Sequence, residues 1–419
     1  MLHSRLAKQT SPTMANCEFP VPPRKPRVLV LTSTFPRWVG DSEPAFVFSL
    51  CQQLAHQFEI CVLAPHAPGA LADELFFENV RVVRYRYFFA RWETLAYSGG
   101  VMANLRSNRW RYFLVAPFIL GQVVALLRLL FNHRFDVLHA HWLFPQGAVA
   151  ALLKYLRVGR PRLVCTAHGT DIHGLHGSFF TLMKRFAVAQ SDAFTVVSDA
   201  LLQSARQQGI DVRAATVIPM GVDAKRLFTP HDHTPRAALQ LLCVGRLDER
   251  KGFGLLVATL PAVLAVYPEC VLKIVGSGPQ EGALRAQVAD LGVALNVEFV
   301  GSVPNTMLPT YYREATVLVF PSTGSEGLGL VCAEALACEC PVVAADQASV
   351  QEVVEHGVSG FVFRSGDMRD LAVKLLRLLA DPVLRAKMGS AGRKHVLARY
   401  DWEQVAASFA RVLQGKLER

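Results

Sequence analysis

A chain of 419 residues exceeds what one hydrophobic core supports, ~250–300 residues, so two domains are expected. With 51% apolar and 19% charged residues the composition is that of a globular enzyme, not of a disordered chain. The 44 basic and 34 acidic residues leave a net charge of +10, which suits nucleotide diphosphates, phospholipid heads or nucleic acid; without a visible zinc framework, RNP motif or basic helix, nucleic acid is not the expected partner.

Residues 1–26 are polar and carry Pro20, Pro22, Pro23 and Pro26, so they read as a disordered leader and not as a signal peptide. Short Val/Leu-rich runs follow at 27–32, 59–64, 80–84, 136–140, 162–167, 193–197 and 216–219. They do not alternate in polarity, as expected of parallel strands buried on both faces. Helical stretches such as 44–56 and 179–189 separate them, which predicts an α/β, doubly wound sheet. Residues 112–127 carry no charge, and the apolar character continues to Phe131. A bilayer span needs ~20 apolar residues, and this run is shorter and contains Pro117. It reads either as a helix buried on the sheet or as one lying in a membrane interface, with Arg106, Arg109 and Arg111 toward anionic lipid heads. The pattern pauses at 219–223 and at Pro230 and Pro235, then resumes with strands at 240–245, 271–276, 296–300, 316–320, 341–345 and 360–363. The expected domains are therefore 27–219 together with 400–419, and 220–399. The final helix, 402–417, has Asp401 as its N-cap. Nine scattered cysteines without a CxxC pair read as reduced thiols of a cytoplasmic protein.

Chemistry concentrates at strand ends, where ligands of such sheets bind. Ser325-Glu326-Gly327-Leu328-Gly329 follows the strand at 316–320 and opens a helix, with seven residues between Glu326 and Glu334. Glycines there let backbone N–H groups approach an anion, and the two carboxylates can accept bonds from sugar hydroxyls. Taken singly, Glu326 would be a dipole-complementing acid and Glu334 a solvated one; the pair with its glycines points to function. Gly245, Arg246 and Lys251 lie at the end of the second domain's first strand, where two cations can neutralise a diphosphate leaving group. No Asp-x-Asp occurs, so no metal is expected and the cations would take its role; no cofactor is expected either. His168 and Asp171, in Thr166-Ala167-His168-Gly169-Thr170-Asp171, follow a strand of the first domain, with Asp171 placed to orient His168.

Together these residues resemble the retaining glycosyltransferase family 4 of the GT-B fold, from about Arg27 to the C-terminus. The resemblance implies two Rossmann-like domains facing across a cleft, a nucleotide-diphosphate sugar as donor and a glycan or lipid-linked acceptor. It implies that Arg246 and Lys251 bind the diphosphate, Glu334 the ribose and Glu326 the sugar hydroxyls. Val303 matches the position that lines the base, and His168 the histidine near the transferred sugar. Domain closure would bring His168 and Gly40 to the diphosphate and sugar. Gly327, Leu328 and Gly329 supply the backbone of the donor site. The chain departs from the family where Phe35-Pro36-Arg37-Trp38-Val39-Gly40-Asp41 has one glycine, where Glu339 replaces a glycine, and where Ala348-Ser349 replaces a Gly-Gly pair. The Phe35–Asp41 loop, Ala64-Pro65-His66 and His139-Ala140-His141-Trp142 resemble a subgroup associated with bacterial surface polysaccharides, and Trp38, His141, Trp142 and Asp171 are acceptor-side candidates. The expected product keeps its anomeric configuration, with a cytoplasmic, membrane-peripheral location. The competing readings are a nucleotide-sugar 2-epimerase, a catalytically silent carbohydrate-binding partner and a nicotinamide dehydrogenase.

Overall fold

The computed structural model describes residues 24–41, 43–76, 80–97, 99–230 and 239–415. Most of the leader, Pro235 and the last residues of the final predicted helix lie outside them. Two sheets organise the chain. The first contains β1 (Arg27–Leu31), β2 (Glu59–Pro65), β3 (Asp73–Phe76), β4 (Val80–Tyr85), β5 (Val137–His141), β6 (Arg162–Ala167), β7 (Ala193–Val196) and β8 (Ala215–Val217), in the order β3-β4-β2-β1-β5-β6-β7-β8. The second contains β9 (Gln240–Val244), β10 (Val271–Val275), β11 (Val297–Gly301), β12 (Val317–Phe320), β13 (Val342–Ala345) and β14 (Gly360–Phe363), in the order β11-β10-β9-β12-β13-β14. All described strand pairs are parallel except β3 with β4. Sequence reading passed over β3 because its four residues, Asp-Glu-Leu-Phe, carry neither an apolar run nor alternation; an edge strand buries little and is held by its pairing and by Arg81–Asp73.

The central strands are buried from end to end: β5, β9, β12 and β13 have no exposed residue. Helices on both faces cover them, so a run such as Gln240-Leu241-Leu242-Cys243-Val244 needs no polar face. Strand order reverses between β1 and β5 in the first sheet and between β9 and β12 in the second. These reversals open crevices at the strands' carboxyl ends.

Two crossings join the domains, and they run side by side. Val222 N–H donates to the Tyr400 carbonyl at 2.7 Å, and Trp402 N–H to that of Val222 at 3.3 Å. Gly221 lies under the Trp402 indole, where a Cβ would come within 2.4 Å of the ring. Helix Trp402–Gln414, capped by the Asp401 side chain, then buries Val405, Phe409 and Leu413 against helix Phe46–Leu54 and β6. The eight described cysteines are buried, and no disulfide links them.

Segment 109–132 resolves between its two readings in a mixed way. A 3-10 turn, Arg109–Leu114, leads into helix Val115–Asn132. Phe118, Gln122, Leu126 and Leu129, a stripe at helical spacing, are buried in the first domain. The opposite side is apolar too: Trp110 is 76% exposed, Phe113 74% and Phe131 76%. The segment is long and apolar enough by composition to cross a membrane, but one face belongs to the core.

Candidate active site

The switch point of the second sheet is where the charged residues gather. After β9 the chain makes an Asx turn, in which Asp248 accepts from the Arg250 amide at 3.1 Å, and reaches Lys251 and Gly252. Gly252 has φ +70°, and a Cβ there would lie 2.0 Å from the Pro321 carbonyl, so this close approach requires glycine. The Arg250 carbonyl accepts from Thr323 N at 2.8 Å and Gly324 N at 3.0 Å. The loops after β9 and β12 are thereby one unit. Across it the Lys251 ammonium meets Glu326 Oε1 at 2.8 Å, and Ser322 Oγ donates to the same oxygen at 2.7 Å. Gly276 and Gly278 pack against the carbonyls of Gly245 and Leu247 with no room for a Cβ, so the Gly-Ser-Gly stretch is a backbone-packing device.

Gly329, left-handed at φ +90°, starts helix Leu330–Ala337, whose N-terminal amides lie beside Glu326. The Glu326 backbone is held at both ends: its N–H donates to Gln347 Oε1 at 3.2 Å, and its carbonyl accepts from Ser349 Oγ at 2.9 Å. Ser349, standing in place of a glycine, thus contributes a bond of its own. One turn into the helix, Glu334 accepts from Tyr312 Oη at 2.8 Å and Asn305 Nδ2 at 3.4 Å. Burial pushes its carboxyl up to about 7, opposed by those two donors. Val303 lies in the loop after β11, two residues before the Asn305 that donates to Glu334.

On the first domain, His168 follows β6 and is half-buried. Its Nε2 meets Nδ1 of His141, the last residue of β5, at 2.8 Å. Trp142 and Phe46 flank the His168 ring, with centroids 4.9 and 5.1 Å away. Burial pushes His139 and His168 down to about 3 and His141 well below the ordinary imidazole range, so all three rings are neutral near pH 7. Asp171 orients the backbone and not the ring: its carboxylate accepts from the amides of Leu143, His168 and Gly169 at 2.9, 3.1 and 3.0 Å.

The two halves meet at backbone distance. A Cβ on Gly327 would fall 2.1 Å from the His168 carbonyl, and one on Gly169 2.8 Å from Gly327 Cα. Ser198 Oγ donates to the Gly327 carbonyl at 2.8 Å. Glu352 of the second domain accepts from the amides of Asp199 and Ala200, at 3.1 and 2.8 Å, capping a first-domain helix. Gly99 packs on the Arg246 guanidinium so tightly that a Cβ would overlap it, at 0.7 Å from Nη1.

His168 therefore meets Gly327, Lys251 meets Glu326, Gly245 and Arg246 follow β9 with Arg246 against Gly99, and Glu334 lies in the helix that Gly329 starts. Three expectations need correction. His141 is fully buried behind His168, Asp171 is buried and saturated by backbone amides, and Trp142 is packed into the core, so none of the three offers a surface to an acceptor. Gly40 is exposed with nothing within 4 Å of its would-be Cβ, and Gly99 is a further first-domain glycine, seated against the Arg246 guanidinium. The legible signal for it was the Gly99-Gly100 pair. Trp38 remains available: it is 44% exposed, with the Arg37 guanidinium 4.4 Å from its ring centroid.

Residues 45–226 match the model of Glycosyltransferase Family 4, and residues 232–395 that of Glycosyl transferases group 1. A GDP-mannose-dependent alpha-(1-6)-phosphatidylinositol monomannoside mannosyltransferase of Mycolicibacterium smegmatis is 33% identical over 297 residues, 66% of this chain and 76% of that protein. The chain belongs to glycosyltransferase family 4. The architecture of this family-4 glycosyltransferase is that of the GT-B enzymes: sucrose-phosphate synthase from Thermosynechococcus elongatus superposes with a TM-score of 0.77 at 24% identity, over 94% of this chain and 99% of that one. Anabaena HepE in complex with UDP superposes with a TM-score of 0.69 at 19% identity, over 94% and 100%.

Proposed function

We propose that this glycosyltransferase moves a hexose from a nucleoside-diphosphate sugar to a lipid-linked or glycan acceptor, with retention of configuration and without a metal ion, in bacterial polysaccharide or glycolipid synthesis at an anionic membrane face. The observation that carries the reading is the cluster at the β9/β12 reversal: Lys251 and Ser322 converge on Glu326 beside the N-terminus of helix Leu330–Ala337. Arg246 and Lys251 hold the diphosphate, Glu334 the ribose, and Glu326 the sugar hydroxyls. As the bond from the anomeric carbon to the phosphate oxygen breaks, charge grows on the diphosphate, and the two cations and the helix amides stabilise it more than in the ground state. The acceptor oxygen attacks from the face the diphosphate leaves, and its proton passes to a diphosphate oxygen. No protein nucleophile takes part.

The membrane face follows from the outer side of 109–132. Trp110, Tyr112 and Phe113 are exposed together beside Arg106 and Arg109, which form no ion pair among the described residues. Apolar rings with unpaired guanidiniums fit an interface rich in anionic lipid. This patch adjoins the donor mouth: Arg111 Nη1 donates to Asn104 Oδ1 at 2.9 Å, and Asn104 Nδ2 donates to the carbonyls of Leu95 and Tyr97, in the segment that carries Gly99 to Arg246. The Mycolicibacterium relative is by name a phosphatidylinositol monomannoside mannosyltransferase.

The test is a panel of nucleotide sugars scored for thermal stabilisation and slow release of nucleoside diphosphate, with and without EDTA. Stabilisation by one donor, release that persists in EDTA and an anomerically retained product by NMR are expected. A 2-epimerase would convert the donor to its epimer, a silent binding partner would release no nucleoside diphosphate, and either result overturns the reading.

A further inference from the structure

His141 lies in the core, yet it makes a polar contact with His168, whose backbone meets Gly327 of the second domain. The His141 and His168 rings are nearly coplanar, 21° apart, with centroids 5.0 Å apart, and they meet edge to edge through Nδ1 and Nε2 at 2.8 Å. Two neutral arrangements satisfy that contact. In one, His141 Nδ1–H donates to His168 Nε2, and His141 Nε2 is left as a bare lone pair. In the other, His168 Nε2–H donates, and His141 carries its proton on Nε2. That atom is buried and has no hydrogen-bond partner. An orphaned buried N–H is rarer and more costly than an unfilled lone pair, so the first arrangement wins. It fixes the His168 proton on Nδ1. Among the described residues nothing bonds that atom, and the half-buried ring borders the cleft beside Gly327.

We propose that His141 is a positioning residue that sets the tautomer of His168, making His168 Nδ1–H a neutral hydrogen-bond donor to the sugar or phosphate oxygens of the bound donor. The role of that N–H in turnover rests on the function proposed above; the tautomer does not. A free imidazole prefers the Nε2–H form, so the core histidine reverses the default. His139 supports the arrangement from behind, its ring 4.2 Å from His141, with its own Nε2 meeting Thr166 Oγ1 at 2.8 Å.

The test joins NMR to kinetics. Protein with 13C,15N-labelled histidine, without ligand, reports the tautomer of each ring, and His168→Gln identifies the His168 signals. The Nδ1–H form is expected in the parent protein. His141→Asn keeps a donor near the old Nδ1 position, while His141→Phe keeps a ring and removes the donor. The Asn variant is expected to hold the Nδ1–H tautomer and recover most of the rate of nucleoside-diphosphate release. The Phe variant is expected to revert toward Nε2–H and to lose about 5–10-fold in kcat/KM. A merely packed ring would give the opposite order, Phe above Asn, with no change of tautomer. An Nε2–H signal for His168 in the parent protein overturns the proposal whether or not either variant folds. If no nucleotide sugar is turned over but the NMR result stands, the function fails and the positioning does not.

Discussion

Lys251 sits between two claims on its charge, Glu326 and the diphosphate proposed beside it. Removing an ammonium that strengthens its bond as the leaving group charges costs ~1.5–3 kcal/mol, which is about 10–100-fold. Lys251→Met is therefore expected to lower kcat at saturating donor by about that factor while leaving the melting temperature near the parent value, since the Lys251–Glu326 pair is partly exposed. Unchanged turnover would end the diphosphate role. Glu334 gives a pH signature. Its carboxyl is raised from 4.5 to about 7, so the folded protein holds the proton that the unfolded chain releases, and stability falls as pH rises from about 4.5 to 7. Accepting from ribose hydroxyls needs the ionised form. Donor affinity should therefore weaken about fivefold from pH 7 to pH 6, following the ionised fraction. Calorimetric titration at the two pH values checks this, and Glu334→Gln should flatten the dependence.

Helix Leu330–Ala337 ends in a left-handed residue that is not glycine. Glu339 has φ +58°, its N–H donates to Leu336 O at 2.9 Å and Cys340 N–H to Ala335 O at 2.9 Å, which is the Schellman pattern. A side chain there costs ~1–2 kcal/mol, partly offset by the greater freedom of an unfolded glycine. Glu339→Gly should raise stability by about 0.5–1 kcal/mol in urea titration. Sequence comparison within the family had marked this position as a departure; the backbone angle supplies its reason. On segment 109–132, replacing Trp110 and Phe113 by serine removes exposed apolar surface without touching the buried stripe of Phe118, Gln122, Leu126 and Leu129. Flotation with anionic liposomes should drop, while donor hydrolysis in detergent-free solution stays within about twofold, because exposed substitutions rarely disturb a core. A chain that never floats would remove the membrane face from the proposal.

At the scale of the whole molecule, the domains are closed onto each other through Gly327 against His168, Ser198 on Gly327 and Glu352 on the amides of Asp199 and Ala200. Glu352→Gln keeps the shape and weakens the charge-assisted bonds. It should favour the open state and raise donor KM about fivefold, with kcat little changed, because bound donor recloses the cleft. Gly327→Ala should be far worse, since its methyl group would strike the His168 carbonyl. Steady-state kinetics and small-angle scattering of the two variants distinguish these effects.

Unalternated Val/Leu runs made the parallel strands legible, because a strand covered on both faces has no polar side to display. The residues that gather at the β9/β12 reversal were legible as well, since Gly245, Arg246, Lys251 and Glu326–Gly329 are local in sequence and follow strands. The short edge strand β3 was not, because an edge is defined by its neighbour. Nor could the sequence tell that His141, Trp142 and Asp171 lie behind the site wall: burial depends on which helix covers a strand end, and that is settled by packing across the fold. The seating of Gly99 on Arg246, of Gly327 on His168 and of His141 on His168 brings together residues 147, 159 and 27 positions apart. Local order along the chain determined which residues could do the chemistry, and only tertiary closure decided which of them face one another, because such contacts are made by surfaces that no sequence spacing relates.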